Sequence, residues 1–86
     1  MLEHKTKNHL LAIELKAGIA KYEAFGQISM YLGLLKNKFP QKNIKGIIIA
    51  GKIDDSLKWA VTTNENIKLM EYKTQLSINE IVLNGN

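Results

Sequence analysis

His9-Leu10-Leu11-Ala12-Ile13-Glu14-Leu15-Lys16 is the stretch that decides the fold class of this chain. An apolar run, Leu10 to Ile13, leads into an acid and a base separated by a single leucine. Strand side chains alternate between the two faces of a sheet, so Glu14 and Lys16 point the same way if this segment is extended. Residues 9–16 read as a strand, helped by β-branched Ile13 and diluted by Ala12. Ala17-Gly18 then reads as a loop leading to a helix.

Two readings of the acid–base pair stay open. One is a charge pair on the exposed half of a strand. The other is a metal-dependent phosphodiesterase site, with both groups at the open end of an apolar strand. The spacing alone does not choose, since Glu3-His4-Lys5 and Glu71-Tyr72-Lys73 repeat it. The first lies in a polar stretch that reads as a solvated turn. The second closes a late strand near a sheet edge, where lysine discourages strand addition. Only Glu14 follows an apolar run and precedes a loop into a helix.

That helix is expected over residues 21–38. Phe25, Ile28, Leu32, Leu35 and Phe39 recur at three- and four-residue steps and face a core. Gly26 and Gly33 weaken it, and Phe39-Pro40 ends it, because the residue before proline is pushed out of helical geometry. Gln27 and Tyr31 lie one turn apart on one face. Each has a plain structural reading: a surface amide, and a ring packed with its hydroxyl wet. Ile44 to Ala50 holds the run Ile47-Ile48-Ile49-Ala50, which suits a strand buried on both faces. Gly51 is expected to break it, and Asp54 or Asp55 to cap a short helix through Val61. There Leu57, Ala60 and Val61 form the buried face, with Trp59 beside them as a packing residue. Ile67 to Tyr72 and Leu76 to Leu83 read as two further strands. The expected fold is α/β, a mixed central sheet flanked by helices, in one domain over residues 1–86.

Composition narrows the function classes. The chain has 86 residues, 45% hydrophobic and 23% charged, with no cysteine. Disulfide frameworks, thiolate metal sites and thiol nucleophiles are excluded. No apolar run approaches the ~20 residues that cross a bilayer, and the N-terminus is not a signal peptide, so no membrane partner and a cytoplasmic location are expected. The net charge of +4 comes from twelve lysines and no arginine. Lysine meets phosphate as a point charge, so salt-sensitive attraction to nucleic acid is expected and arginine-based reading of bases is excluded. The lysines are spread along the chain, and most read as solvated surface.

The first strand also needs a neighbour, and Met1 to Lys5 is short for one. The chain reads as beginning partway through a hairpin whose turn is Lys5 to Asn8. A truncated domain, or one completed by a second copy, is expected. The strand edge near residue 9 invites such a homodimer.

Taken together, Ile13-Glu14-Leu15-Lys16, Gly26-Gln27 with Tyr31 on the next helix, and a buried strand resemble the PD-(D/E)XK nuclease superfamily, and within it the RecB-like branch. Ile44-Lys45-Gly46-Ile47-Ile48-Ile49-Ala50 with Ile53-Asp54 is similar to the C-terminal nuclease domain of NucS-type endonucleases. The resemblance covers about residues 9 to 73 and implies a restriction-endonuclease-like core lacking its first helix and most of its first strand. It implies a metal-dependent DNA endonuclease of DNA repair. Glu14 and the backbone carbonyl of Leu15 would ligate Mg²⁺ or Mn²⁺, an oxygen site for a hard cation. Lys16 would hold the attacking water and offset charge building on the phosphate. Gln27 and Tyr31 would flank the site and orient substrate or ligands. The superfamily carries an acidic residue, usually aspartate, on the preceding strand, and counting back from Glu14 that position falls just ahead of Met1. No aspartate precedes Asp54. Glu3 is the acidic candidate, but its odd offset from Glu14 predicts the opposite face unless the hairpin shifts register. His4 has the better parity. Half a metal site is therefore expected, and two alternatives stay beside the nuclease: a non-catalytic nucleic-acid-binding or regulatory module, and a basic protein-interaction domain.

Overall fold

The structure, a computed structural model, describes residues 1–72. Its elements are β1 (Leu2–Lys5), β2 (His9–Ala20), α1 (Tyr22–Lys38), β3 (Asn43–Ile53), α2 (Asp55–Val61) and β4 (Ile67–Glu71). The strands form one sheet in the order β1-β2-β3-β4. β1 runs antiparallel to β2, while β2, β3 and β4 are parallel. The mixed sheet expected from the sequence is present, and the expected strand from Leu76 to Leu83 lies outside the described residues.

Both parallel connections step the same way across the sheet. Since such crossovers are right-handed, α1 and α2 fall on one face, where they touch each other. The core follows from this. Leu10 and Ala12 of β2, Ile44, Ile48 and Ala50 of β3, and Ile67 of β4 point at the helices, which supply Ala24, Ile28, Leu32, Leu35 and Leu57. Phe25 and Phe39 are only partly buried and pack against this cluster. β3 is therefore not buried on both faces: Ile48 and Ala50 are buried, Ile47 and Ile49 half-buried. On the uncovered face Leu2, Leu15 and Met70 are 55%, 56% and 53% exposed.

α1 reaches the sheet because Gly46 sits beneath it. A Cβ on Gly46 would lie 2.8 Å from Ile28 Cδ1 and 3.2 Å from Leu32 Cδ1. Its neighbour across β2 is Ala12, fully buried, so the helix rests on a glycine and an alanine. Glu23 in the first turn and Lys36 and Lys38 in the last complement the helix dipole. α2 begins at Asp54, whose carboxylate accepts the Ser56 amide at 3.1 Å and its hydroxyl at 2.5 Å. Those two donors hold the Asp54 carboxyl below the usual range.

Several local expectations are corrected. β2 does not end at Lys16 but runs to Ala20, with a register shift between Lys16 and Ile19. Ala17 and Gly18 form a bulge opposite Gly51, so two residues of β2 face one of β3. Gly51 accordingly does not break β3, which continues to Ile53. A Cβ there would meet the Ala17 and Gly18 carbonyl oxygens at 3.2 and 3.3 Å, so glycine admits the bulge. Trp59 is 71% exposed and not a packing residue, because Leu57 takes the inward position and Trp59 follows two residues on, across the helix. Met1 to Lys5 is partner enough for β2: Leu2 pairs with Ile13 and Lys5 with Leu10. The strand near residue 9 is thus flanked on both sides, and among the described residues β1 and β4 are the outer strands.

Candidate active site

Glu14 and Lys16 keep the parity of Leu10 and Ala12, so both side chains lie on the helix-covered face and are half-buried there. Leu15 sends its side chain to the uncovered face. Its carbonyl direction follows from strand alternation. The Asn43 amide donates to Asn8 O at 2.7 Å, and the Thr6 amide to His9 O at 2.8 Å, so odd-numbered β2 carbonyls turn toward β1. Leu2 opposite Ile13 is the last β1–β2 pair, and the Leu15 carbonyl therefore opens just past the end of β1, beside Glu14.

The same register moves the acidic residue of β1. Residues paired across strands share a face, and Glu3 pairs with Ala12. Glu3 thus lies on the face of Glu14 and Lys16, not opposite as its offset suggested. His4 pairs with Leu11 and takes the other face, as does His9 by parity. In an antiparallel pair the sum of partner numbers is constant, and the turn at 6–8 makes it odd. Offset parity, which holds within one strand, misleads across a hairpin.

α1 runs back along β2 and brings Tyr31 over Glu3, where the phenol donates a hydrogen bond to Glu3 Oε2. That bond, with burial and the carboxylate's charge, raises the Tyr31 pKa above its ordinary value. Gln27 is exposed one turn earlier, nearer the C-terminal end of β2. At the other flank of the bulge the Tyr72 hydroxyl meets Ala17 O at 2.9 Å and Lys16 O at 3.2 Å. Tyr72 and Gly51 thereby hold the backbone just after Lys16, a role nothing in their sequence context signals. Glu71 is occupied elsewhere, accepting the Ile53 amide at 2.9 Å. A recess of about 320 Å³ on the opposite flank of α1, lined by Ser29, Lys36, Asn43, Asn64 and Asn66 among others, contains no acid and is remote from Glu14.

Among the described residues, no group of three or more His, Cys, Asp or Glu gathers closely enough to hold a metal. What the face offers is two carboxylates and a main-chain carbonyl, all oxygen, with both histidines turned away. Such a donor set fits a hard divalent cation whose remaining positions are water, and does not fit zinc.

The profile of the endonuclease NucS C-terminal domain matches residues 1–81. The chain belongs to this family. Two solved structures share its fold. The apo form of EndoMS superposes with a TM-score of 0.66 at 20% identity, covering 77% of this chain and 30% of that one. A repair endonuclease from Pyrococcus abyssi gives a TM-score of 0.66 at 23% identity, covering 74% and 27%. The chain thus corresponds to under a third of either protein's length. No curated protein sequence matches it. The NucS C-terminal family and the mixed sheet agree with the restriction-endonuclease-like fold expected from the sequence. Among the described residues no helix is long and apolar enough to cross a membrane.

Proposed function

We propose that this chain is the metal-dependent nuclease core of a DNA-cleaving enzyme, with Glu14 and Lys16 as its catalytic residues. The observation that carries the reading is the shared face of Glu3, Glu14 and Lys16 at the end of β1, within a chain of the NucS C-terminal family. Glu14, the Leu15 carbonyl and Glu3 would hold Mg²⁺ or Mn²⁺. When bound, the cation polarises a phosphoryl oxygen and lowers the pKa of a coordinated water. Lys16 donates to the attacking water and offsets the negative charge that grows on the phosphate. Tyr31 keeps the Glu3 carboxylate turned inward, and Gln27 orients the substrate strand. DNA is the substrate, as the resemblance to NucS-type endonucleases implies.

Two readouts test this. Nicking of plasmid DNA in Mn²⁺ should fall by roughly 10²-fold or more in Glu14→Gln and in Lys16→Ala. Calorimetric titration with Mn²⁺ alone should separate their roles: Glu14→Gln loses binding, Glu3→Gln weakens it, and Lys16→Ala retains it. Unchanged nicking in both catalytic variants refutes the proposal. The absence of a three-ligand cluster among the described residues favours one competing reading, a non-catalytic nucleic-acid-binding module. Salt-dependent DNA retention with no nicking even at high Mn²⁺ would establish that one instead.

A further inference from the structure

The lysines are spread along the sequence but not over the molecule. Residues 4–9 carry two lysines and residues 36–45 carry four, half of the chain's twelve, and neither segment contains an acid. The fold joins these segments at one end, where the β1–β2 turn meets the loop after α1. The Asn43 amide bonds Asn8 O, and Lys42 Nζ reaches Thr6 O and, at 3.0 Å, Lys7 O. Around Phe39 three ammonium groups collect: Lys5 Nζ at 4.6 Å from the ring centroid, Lys38 and Lys42 at 5.8 Å each. Lys36 is bound to the Pro40 and Lys42 carbonyls at 3.3 Å. Among the described residues none of these lysines is within ion-pair distance of a carboxylate.

Lys36 and Lys42 have structural work, since they tie down loop carbonyls. Among the described residues Lys5, Lys7 and Lys38 tie down no carbonyl, and Lys5 and Lys38 meet only the Phe39 ring. Like charges gathered on one ring repel, and the aromatic face offsets only part of that. An anionic partner with regularly spaced charges would offset the rest.

We infer that this basic end, Lys5 and Lys38 at Phe39 with Lys7 in the adjoining turn, is a contact surface for the phosphodiester backbone of DNA, on the same strand track as Glu14. The inference rests on the nuclease reading for its geometry. Lys5 lies opposite Leu10, four positions before Glu14 on β2 and on the same face. At ~3.3 Å per residue that is about 13 Å. Phosphates of one strand wind about the duplex axis, so Lys5 stands within a few phosphates of the one at Glu14 on the same strand. The lysines position the strand and carry no base specificity.

The test is binding of a labelled DNA duplex to the full chain in EDTA, by fluorescence anisotropy over a salt series. Lys5→Gln/Lys7→Gln/Lys38→Gln should reduce the slope of log K against log salt by about 2–3 and weaken low-salt binding roughly tenfold or more. Lys52→Gln/Lys58→Gln/Lys68→Gln removes the same net charge elsewhere and should change both far less. Arginine at the first three positions should restore binding, which excludes misfolding as the cause. Equal effects of the two glutamine triples overturn the inference, as does no retention of DNA by the wild type at low salt. Displacement by polyglutamate at the same charge concentration as by DNA also overturns it, assigning the surface to an acidic protein. Nicking in Mn²⁺ is scored separately: nicking with an unchanged salt slope refutes only the basic surface, and basic-end binding without nicking refutes only catalysis.

Discussion

Gly46→Ala is the most informative single perturbation of this fold. The added methyl would stand 2.8 Å from Ile28 Cδ1, 3.1 Å from Ile28 Cγ1 and 3.2 Å from Leu32 Cδ1. Ile28 is fully buried, so its terminal methyl has no open space to enter without moving α1 or changing rotamer. Overpacking of this kind costs about 1–3 kcal/mol. Replacing a strand glycine by alanine returns roughly 0.5–1 kcal/mol of backbone entropy. The net is a loss of about 1 kcal/mol, which in a domain of this size lowers Tm by roughly 4–8 °C. Urea melts of wild type, Gly46→Ala, Ile28→Val and the double variant measure it. Ile28→Val alone should cost about 0.5–1.5 kcal/mol by cavity formation. In the double variant the alanine methyl fills that cavity, so the costs should fall well short of adding. A neutral or stabilising Gly46→Ala, or strict additivity in the double variant, would refute the close approach of α1 to β3 on which the site geometry depends.

Three other outcomes follow from the structure. Gly26→Ala and Gly33→Ala add methyls that meet nothing within 4 Å, so each should raise stability by about 0.8–1 kcal/mol in the same urea melts. The Asp54 carboxyl is held below its unfolded value by Ser56, so its contribution is complete above the unfolded pKa and disappears as pH falls through the folded one. Asp54→Asn keeps a capping oxygen without the charge; its Tm should trail the wild type near neutrality and the two should converge in acid. Tyr72→Phe removes the hydroxyl from the Lys16 and Ala17 carbonyls. Amide exchange around Ala17–Ile19 should quicken, with a stability loss of about 0.5–1.5 kcal/mol, and nicking should fall while DNA affinity holds.

The elements legible in the sequence were those with a strong period or punctuation. The three- and four-residue spacing through Ile28, Leu32 and Leu35 marked α1, Pro40 marked its end, and Asp54 marked the start of α2. What escaped depends on distant residues. Gly51 reads as a breaker because its neighbourhood along the chain does not reveal the bulge at Ala17-Gly18 that needs its missing Cβ. The isoleucine run of β3 reads as doubly buried because the handedness of two crossovers, not composition, puts both helices on one face. Trp59 reads as core because large aromatics usually are, and only the phase of a seven-residue helix sets it outward. The shared face of Glu14 and Lys16 was visible from alternation alone. Glu3 was not, because its face depends on turn length, and the basic end was not, because its lysines lie more than thirty positions apart in the chain.

The hairpin at Thr6 to Asn8 has a consequence of its own. It works as a selector between two chemistries. With the present turn, β1 shows Glu3 to Glu14 and turns His4 away. Deleting or inserting one residue in the turn would slide β1 by one position and exchange them, since every side chain of a strand changes face together. The donor set beside Glu14 would then pass from two carboxylates to a carboxylate and an imidazole, shifting its preference from hard alkaline-earth ions toward transition metals. Three turn residues that belong to no ligand set would thus decide which ions the proposed site can take, through their number and not their identity.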